Sequence, residues 1–261
     1  MKKIKMFAGI LAGLMLCAAA AGCGGSTGSG DKKAAEKKEL IVGTNPSFAP
    51  FEFTDKKDGK VMGFDIDLIN ALAKKAGYEK VTVKSIAFDG LIPSLESGNI
   101  DVSITGMSIT DERKKKVNFT DPYYESGLMA VVKKDNTAIN GLDDLKGKTI
   151  AVQLGTTGAK YAETIEGAKV KTFDSSDLAC LELKNGGADA VISDLPVLQY
   201  FLKQGGSQYA KSVGTPKKGD FYGIATAKKN KDLCDKLNKA LAELKKDGEY
   251  QKIYDKWFKA E

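Results

Sequence analysis

The strongest constraint on the fold is an alternation of strand and helix patterns that runs twice along the chain. Short apolar runs such as residues 40–43 and 149–153 have the composition of buried strands. Helical patterns follow such runs, and two of them, residues 64–77 and 177–187, end in glycine, a natural helix stop. Strands that alternate with helices predict α/β lobes with central, largely parallel sheets. Because ligands of such lobes lie outside the carboxyl ends of the strands, two facing lobes predict a cleft that binds a ligand.

The first 22 residues have the pattern of an export signal. A lysine-rich start precedes an apolar run over residues 6–21, which is too short to span a membrane comfortably. The run ends in Ala20-Ala21-Gly22-Cys23, which resembles the lipobox of bacterial lipoproteins, although leucine is usual where Ala20 stands. We therefore expect a lipoprotein signal peptide over residues 1–22 and a lipid on Cys23; an ordinary secretory signal peptide is the alternative. Residues 23–38, rich in Gly and Ser and then in Lys, predict a flexible tether.

Composition excludes several classes of site. The chain of 261 residues has no histidine, which rules out histidine general bases, Ser-His-Asp triads and His-ligated metals. Beyond the signal segment the cysteines are Cys180 and Cys234, and neither lies in a CxxC motif. We expect free thiols, with a disulfide as the alternative in an exported protein. Lysines and acids are interleaved at a net charge of +6, so we expect no nucleic-acid surface, and we expect neither a metal nor a cofactor.

One basic residue differs from all the others. Arg113 is the only arginine among the 40 lysine and arginine residues, and it follows the small, hydroxyl-rich segment 105–110. A guanidinium is a planar fork that binds a carboxylate through two parallel hydrogen bonds, which a lysine ammonium does not match. We interpret Arg113 as the clamp for a small-molecule carboxylate. The alternative is an exposed arginine in the first turns of a helix that continues into three lysines.

An acidic residue lies where the predicted second lobe would present a ligand partner. Asp194 directly follows the strand pattern over residues 190–193, at its carboxyl end. The alternative is that Asp194 only caps the following helix, since Pro196 is typical of a helix start. Local sequence alone leaves both interpretations open.

Six further segments of the chain carry recognisable motifs. They are GTNPSFAPFEF (43–53), GFDIDL (63–68), FDGLIPSLESGNID (88–101), TGMSITDERKKKVNFTDPYY (105–124), GLDDLKGKTIAVQLGTTG (141–158) and GADAVISD (187–194). In this order they resemble the polar amino-acid-binding proteins of ABC importers, which have the type 2 periplasmic-binding-protein fold. The resemblance covers residues 40–258.

The resemblance implies a set of ligand-binding residues divided between the two lobes. It assigns Phe48 and Phe88 to aromatic contacts with the ligand side chain, and Thr105, Gly106 and Ser108 to a polar turn that binds the ligand. Arg113 is the α-carboxylate clamp, the backbone N–H of Thr157 in the second lobe also reaches the carboxylate, and Asp194 holds the α-ammonium group.

Selectivity depends on the end of the ligand side chain that lies away from the α-carbon. The same resemblance implies that Asn45, Gln153 and Ser193 contact this end. None of these residues is acidic, so they favour a neutral polar side chain such as that of glutamine. The alternative is a basic amino acid (arginine, lysine or histidine), because the run VQLGTTG recurs in arginine-type binders and two phenylalanines can stack on a cation.

The resemblance also implies the organisation and the partners. Lobe one is expected over 39–125 and 220–261, and lobe two over 126–219, with a two-strand hinge. The expected function is to bind a polar L-amino acid and deliver it to an ABC importer permease with its cytoplasmic ATPase. We expect an exported monomer, held to the membrane by its lipid and facing the periplasm or the cell exterior. The rival interpretations are a dehydratase-type enzyme on this scaffold, the sensing part of a receptor, and an adhesin.

Overall fold

A computed structural model describes residues 38–259, which form two α/β lobes connected by a pair of strands. The two-lobe fold predicted from the sequence is therefore confirmed. The predicted signal peptide over 1–22, the lipid on Cys23 and residues 23–37 of the predicted tether lie outside the described residues.

The secondary structure follows the predicted alternation closely. Within residues 38–259 the strands, in chain order, are β1 (Glu39–Thr44), β2 (Ser47–Phe48), β3 (Glu52–Thr54), β4 (Val61–Met62), β5 (Lys80–Ser85), β6 (Val102–Ser103), β7 (Val117–Phe119), β8 (Tyr124–Lys133), β9 (Thr149–Gln153), β10 (Lys169–Phe173), β11 (Ala190–Asp194), β12 (Ala210–Tyr222) and β13 (Ala225–Ala227). The α-helices of the same range are α1 (Phe64–Lys75), α2 (Leu91–Ser97), α3 (Asp111–Lys116), α4 (Thr157–Glu163), α5 (Ser176–Asn185), α6 (Leu195–Lys203), α7 (Lys231–Lys246) and α8 (Glu249–Phe258).

The two lobes are built on two sheets of similar design. Lobe one has the strand order β5-β1-β6-β13-β7, and lobe two has the order β10-β9-β11-β8-β12. In each sheet the first three strands are parallel, whereas the last two pair antiparallel with their neighbours. The expectation of largely parallel sheets is therefore correct for three strands in each sheet. Lobe one also carries a small antiparallel sheet of β2, β3 and β4.

Local sequence explains where several helices begin and end. The hydroxyls of Thr110, Thr156 and Ser175 accept backbone N–H groups at the starts of α3, α4 and α5, because a helix leaves its first N–H groups without intrahelical acceptors. Gly186 ends α5 with a φ of 82°, a left-handed conformation that glycine adopts without a steric penalty.

Each sheet is covered by apolar side chains on both faces. Along β8, Leu128 and Ala130 belong to one buried cluster, whereas Met129 and Val131 belong to another, as the twofold periodicity of a strand requires. The sheet of lobe one is likewise packed on two faces by separate clusters, one with α1 and α7 and one with α2. Burial on both faces explains why these strands have continuous apolar runs.

The two connecting strands are β8 and β12, which pair antiparallel from Tyr124–Tyr222 to Lys133–Ala210. The rings of Tyr124 and Tyr222 stack with their centroids 5.6 Å apart, and the ring of Phe51 contacts Tyr124 edge-on at 4.8 Å. An aromatic cluster of lobe one thus anchors both strands where the lobes join. The lobe boundaries at 125/126 and 219/220 stay a prediction.

The sequence prediction was wrong in detail around β12. The largely apolar residues 222–226 predict a single strand, but the structure ends one strand at Tyr222 and begins the next at Ala225. The rest of β12 was not predicted, because its polar residues, Gly214, Pro216 and Gly219 are typical of a loop. Pairing along most of β8 nevertheless makes the segment a strand, with register shifts on both sides of Lys217–Lys218.

Cys180 and Cys234 are buried free thiols, as expected. Burial raises the pKa of the Cys180 thiol to about 12. Among the described residues, no helix combines the length and the apolar composition needed to cross a membrane.

Candidate functional site

A cavity lies between the two lobes. All eight residues expected to bind the ligand line this cavity, together with two of the three expected selectivity residues. Ser193 is not among the lining residues, whereas Glu52 and Thr156, which the sequence did not single out, are. The lining residues are Asn45, Phe48, Glu52, Phe88, Thr105, Gly106, Ser108, Arg113, Gln153, Thr156, Thr157 and Asp194.

The parallel strands explain why these residues meet. Asn45 follows the end of β1, and Thr105 lies two residues beyond β6, its parallel neighbour. In lobe two, Gln153 ends β9 and Asp194 ends β11, which are also parallel neighbours. The carboxyl ends of parallel strands lie at one edge of a sheet, so each lobe presents its polar side chains to the other at that edge.

Arg113 is buried, although its helix neighbours Lys114, Lys115 and Lys116 are exposed. Its Nη1 donates to the carbonyl oxygen of Ser108 at 2.8 Å, and its Nη2 donates to the carbonyl oxygen of Gly155 at 3.0 Å. The guanidinium carbon lies 5.2 Å from the ring centroid of Phe88. These contacts hold the guanidinium at the cavity wall, unlike the exposed arginine of the alternative interpretation.

Asp194 is buried at the first residue before α6, yet its side chain makes no capping hydrogen bond to that helix. Its carboxylate instead accepts from Ser126 Oγ at 3.2 Å, and the hydroxyl of Tyr222 donates to the same Oγ at 3.2 Å. The capping alternative therefore does not describe this side chain, which lines the cavity.

The electrostatics of the cavity are dominated by burial and by a second acid. Burial, and then the nearby charge of Asp220, raise the pKa of Asp194 to about 7, while Ser126, Tyr222 and Arg113 oppose the shift. Burial lowers the pKa of Arg113, which remains a cation, and the Asp220 and Asp194 carboxylates oppose that shift. The charge of Asp194 is thus incompletely compensated within the protein, and a cation in the cavity would stabilise it.

The turn over residues 105–108 brings the backbone close to an aromatic ring. Gly106 has a φ of 54°, and a Cβ at this position would lie 2.7 Å from the Phe48 ring. Its N–H donates to Asp65 Oδ2 at 2.9 Å and to the Tyr123 hydroxyl at 3.2 Å. The N–H of Gly106 is therefore occupied within lobe one.

The Asn45 and Gln153 amides bind each other across the cleft. Gln153 Nε2 donates to Asn45 Oδ1 at 2.9 Å and to the carbonyl oxygen of Asp174 at 3.1 Å, and its Oε1 accepts from Ser176 at 3.0 Å. The Asn45 amide also donates to the carbonyl oxygen of Ile86 at 3.1 Å. Most of their hydrogen-bonding capacity is thus used within the protein, which limits what these two residues can offer a ligand.

Other contacts also join the two walls of the cleft. The hydroxyls of Ser108 and Thr157 lie 3.4 Å apart, and Lys160 on α4 pairs with Glu112 on α3. Thr157 is the first residue of α4, so its N–H has no acceptor within the helix. With Arg113–Gly155 and Asn45–Gln153, these contacts describe a closed arrangement of the lobes.

Two further acids of the cleft were not predicted from the sequence. Glu52 lines the cavity from β3, and Asp220 accepts from the Thr157 hydroxyl at 3.2 Å from the end of β12. Glu52 had a detectable signal, because an acid between Phe51 and Phe53 is unusual in a buried strand. Asp220 had none, since it lies in a lysine-rich polar segment.

Comparison with known proteins agrees with this architecture. The model of the bacterial extracellular solute-binding proteins, family 3, matches residues 40–260. The chain is 43% identical over 230 residues to the ABC transporter arginine-binding protein 1 of Escherichia coli strain K12, with 86% of this chain and 92% of that protein covered.

Solved structures give the same result. The chain is 51% identical to an ancestral arginine-binding protein bound to arginine, with a TM-score of 0.82 and with 85% of this chain and 99% of that chain covered. It is 50% identical to an ancestral arginine-binding protein bound to glutamine, with a TM-score of 0.80 and with 86% of this chain and 99% of that chain covered. On these matches, the chain belongs to the bacterial extracellular solute-binding proteins, family 3.

Proposed function

We propose that this protein binds a polar L-amino acid between its lobes and delivers it to the permease of an ABC importer. The observation that carries the proposal is the pairing of buried opposite charges in one cavity, with Arg113 on lobe one and Asp194 on lobe two. Arg113 is assigned to the α-carboxylate and Asp194 to the α-ammonium group.

An amino acid zwitterion matches this charge pattern. Charge-assisted hydrogen bonds contribute about 1.5–3 kcal/mol each, and a buried charge left without a partner is costly. Ser108, Thr157 and Gly106, which line the same cavity, add neutral polar groups around the two charges. A ligand that touches both lobes stabilises the closed arrangement over an open one, and such hinge closure around a ligand is a general property of periplasmic binding proteins.

We infer that the side chain of the ligand is basic. The acidic residue Glu52 is among the lining residues, and Phe48 and Phe88 add aromatic rings on which a cation can stack. The names of the arginine-binding relatives point the same way. The preference for glutamine expected from Asn45, Gln153 and Ser193 is weakened, because the first two amides are occupied and the third residue does not line the cavity. Glutamine remains the second candidate, since a relative carries it in its solved structure.

The remaining assignments concern partners and location. We propose a monomer that is exported and anchored to the membrane through a lipid on Cys23, with an ABC permease and its ATPase as partners. A binding role is preferred to a dehydratase because the chain has no histidine to act as a general base and because the arginine-binding relatives are named as binding proteins.

The decisive experiment is a thermal-shift screen of the mature protein against the twenty amino acids, followed by calorimetry on those that raise the melting temperature. A ligand that binds only the folded form raises that temperature with concentration. We expect arginine, lysine or histidine to give the largest shift, and we expect the ligand to be recovered unchanged. A screen in which no amino acid shifts the melting temperature would contradict the proposed function. A screen in which only neutral amino acids do so would contradict the basic side chain.

A further inference from the structure

Two buried carboxyls lie directly under the turn that lines the cavity. Glu52 on β3 and Asp65 on α1 are both fully buried, and their side chains are within hydrogen-bonding contact of each other. Glu52 Oε1 accepts from the Thr105 hydroxyl at 2.7 Å. Asp65 Oδ2 accepts from the Gly106 N–H at 2.9 Å and from the Tyr123 hydroxyl at 2.8 Å. We call Glu52 and Asp65 the carboxyl pair.

Each member of the carboxyl pair has one oxygen that lacks a partner. Glu52 Oε2 and Asp65 Oδ1 are buried and accept no hydrogen bond from protein groups. Two ionised carboxylates in contact would repel each other, and among the described residues no lysine or arginine is placed to offset the charge of either. One proton shared between the two carboxyls would satisfy both oxygens and remove the repulsion.

The surrounding groups indicate which member carries the proton. Asp65 accepts two hydrogen bonds, which stabilise its ionised form, whereas Glu52 accepts one. Burial, and then the charge of Asp65, raise the pKa of Glu52 well above its ordinary value. The titratable groups that face the pair are Tyr123, whose pKa is raised by burial, and Tyr250, whose pKa is raised to about 12 by burial first and also by the charges of Tyr254 and Asp65. Tyr222 lies behind Tyr123. Arg113 and Asp194 line the same cavity as Glu52.

We propose that Glu52 and Asp65 hold a single proton in the ligand-free protein, and that a cationic ligand side chain displaces this proton from Glu52 to the solvent. The inference rests on the proposed function, since it requires an amino acid in the cavity. Before binding, the pair is a carboxylic acid bonded to a carboxylate; after binding, both are ionised and the ligand cation replaces the proton. Glu52 is then a specificity residue, because a neutral side chain cannot replace that proton.

The pair would also position the turn, whatever the ligand. The Thr105 hydroxyl donates a hydrogen bond to Glu52, and its oxygen accepts a hydrogen bond from the N–H of Asn45 at 3.0 Å. Gly106 is fixed by Asp65. These bonds need one acceptor oxygen on each carboxyl and persist when Glu52 is protonated or ionised.

Calorimetry in two buffers of different ionisation enthalpy measures the protons released on binding. The ligands are arginine and citrulline, which share the α-carboxylate and α-ammonium groups and differ in the charge at the far end. At pH 8 Asp194 is mostly ionised before binding, and its remaining contribution is the same for both ligands. We expect arginine to release more protons than citrulline, by up to about one proton per site.

The variant Glu52→Gln removes the ionisable carboxyl but keeps the size and the hydrogen-bonding groups of the side chain. The glutamine amide can donate to Asp65 and accept from Thr105, as a protonated Glu52 does, so the fold is retained. We expect this variant to lose the excess proton release and to lose about tenfold or more of its preference for arginine over citrulline, the size of one charge-assisted hydrogen bond. Glu79→Gln, an exposed acid paired with Lys38, is the matched control and should behave as wild type.

The outcomes distinguish this inference from the proposed function. Equal proton release with arginine and citrulline, when both bind, overturns the shared proton and leaves amino-acid binding intact. Failure of every amino acid to bind overturns both. Infrared spectra of the ligand-free protein at pH 8, where Asp194 is mostly ionised, test the pair without any ligand. A band of a protonated carboxyl that is lost in Glu52→Gln supports the pair, and wild-type and Glu52→Gln spectra with the same carboxyl bands overturn the inference.

Discussion

Arg113 donates through Nη2 to the carbonyl oxygen of Gly155 at 3.0 Å, so the side chain assigned to the ligand carboxylate also joins lobe one to lobe two. Its other terminal nitrogen is fixed by Ser108 within lobe one, and the ring of Phe88 lies beside the guanidinium. The cation is thus held in place before a ligand arrives, and binding need not order a long side chain.

Replacing Arg113 should weaken ligand binding far more than folding. We expect Arg113→Ala to lose about 2–5 kcal/mol of binding free energy, the usual cost of truncating one partner of a buried charge pair. Arg113→Lys should recover only part of this loss, because an ammonium lacks the planar fork. Titration calorimetry is the measurement, and Lys115→Ala, an exposed neighbour on α3, is the control. Affinity close to wild type in Arg113→Ala would remove its assignment as the carboxylate clamp.

Asp194→Asn should discriminate between ligands with and without an ammonium group. The variant keeps the hydrogen bond with Ser126 but removes the negative charge. We expect it to fold and to bind amino acids much more weakly, with little change for their des-amino analogues. Calorimetry on matched pairs of ligands tests this expectation, and equal weakening of both classes would show that Asp194 has no role at the ammonium.

The raised pKa of Asp194 predicts an unusual pH dependence of stability. The ordinary pKa of an aspartate is about 3.9, and that of Asp194 in the folded protein is about 7. Between these values the folded state binds more protons than the unfolded state, so this group makes the ligand-free protein more stable as the pH falls from 8 to 5. The melting temperatures of the wild type and Asp194→Asn over this range isolate the effect. A pH dependence that is identical in the two proteins would contradict it.

Ligand affinity should show the opposite dependence on pH. An ammonium group in the cavity stabilises the ionised carboxylate of Asp194, so below pH 7 binding must first remove a proton from it. For a ligand with a neutral side chain, such as citrulline, which leaves the proton on Glu52, we expect the affinity to fall by up to about tenfold for each pH unit below 7 and to level off above it. Calorimetry between pH 5 and 8 checks the profile, and an affinity independent of pH across this range would argue against ammonium binding at Asp194.

A methyl group at Gly106 should damage the cleft. In Gly106→Ala the Cβ would lie 2.7 Å from the Phe48 ring, and the left-handed backbone adds about 1–2 kcal/mol of strain. Gly77→Ala is the matched control, because Gly77 has a φ of 84° and open space around its Cβ position. We expect both to lose stability in denaturant unfolding, but only Gly106→Ala to lose ligand affinity. Equal affinities in the two variants would show that the close approach to Phe48 is not needed for binding.

The amide contact across the cleft should favour the closed arrangement. Gln153 donates to Asn45 at 2.9 Å, and the partners belong to opposite lobes. A double-mutant cycle with Asn45→Ala and Gln153→Ala should give a coupling of about 0.5–3 kcal/mol in ligand affinity. Additive losses would mean that the two amides act independently and that their contact does not contribute to closure.

The sequence alone determined most of the elements, the two-lobe α/β class and, through the family resemblance, most of the residues that line the cavity. Helical and strand periodicity and glycine stops are local signals, so α1 and α5 were predicted close to their observed bounds without knowledge of the fold. Arg113 was conspicuous as the only arginine in the sequence. The sequence left open whether it was a carboxylate clamp or an exposed arginine, and the structure shows that it is buried.

Only the tertiary structure decided which alternatives hold. Whether Asp194 caps α6 or lines the cavity depends on where its side chain points relative to Ser126, 68 residues away in the chain. β12 is a strand because β8 supplies partners for its backbone, which no local pattern of its own predicts. Glu52 and Asp65 meet only when β3 packs beside α1, so their contact has no signature in residue spacing. Local signals therefore determine elements, whereas charge states and hydrogen-bond partners depend on long-range packing.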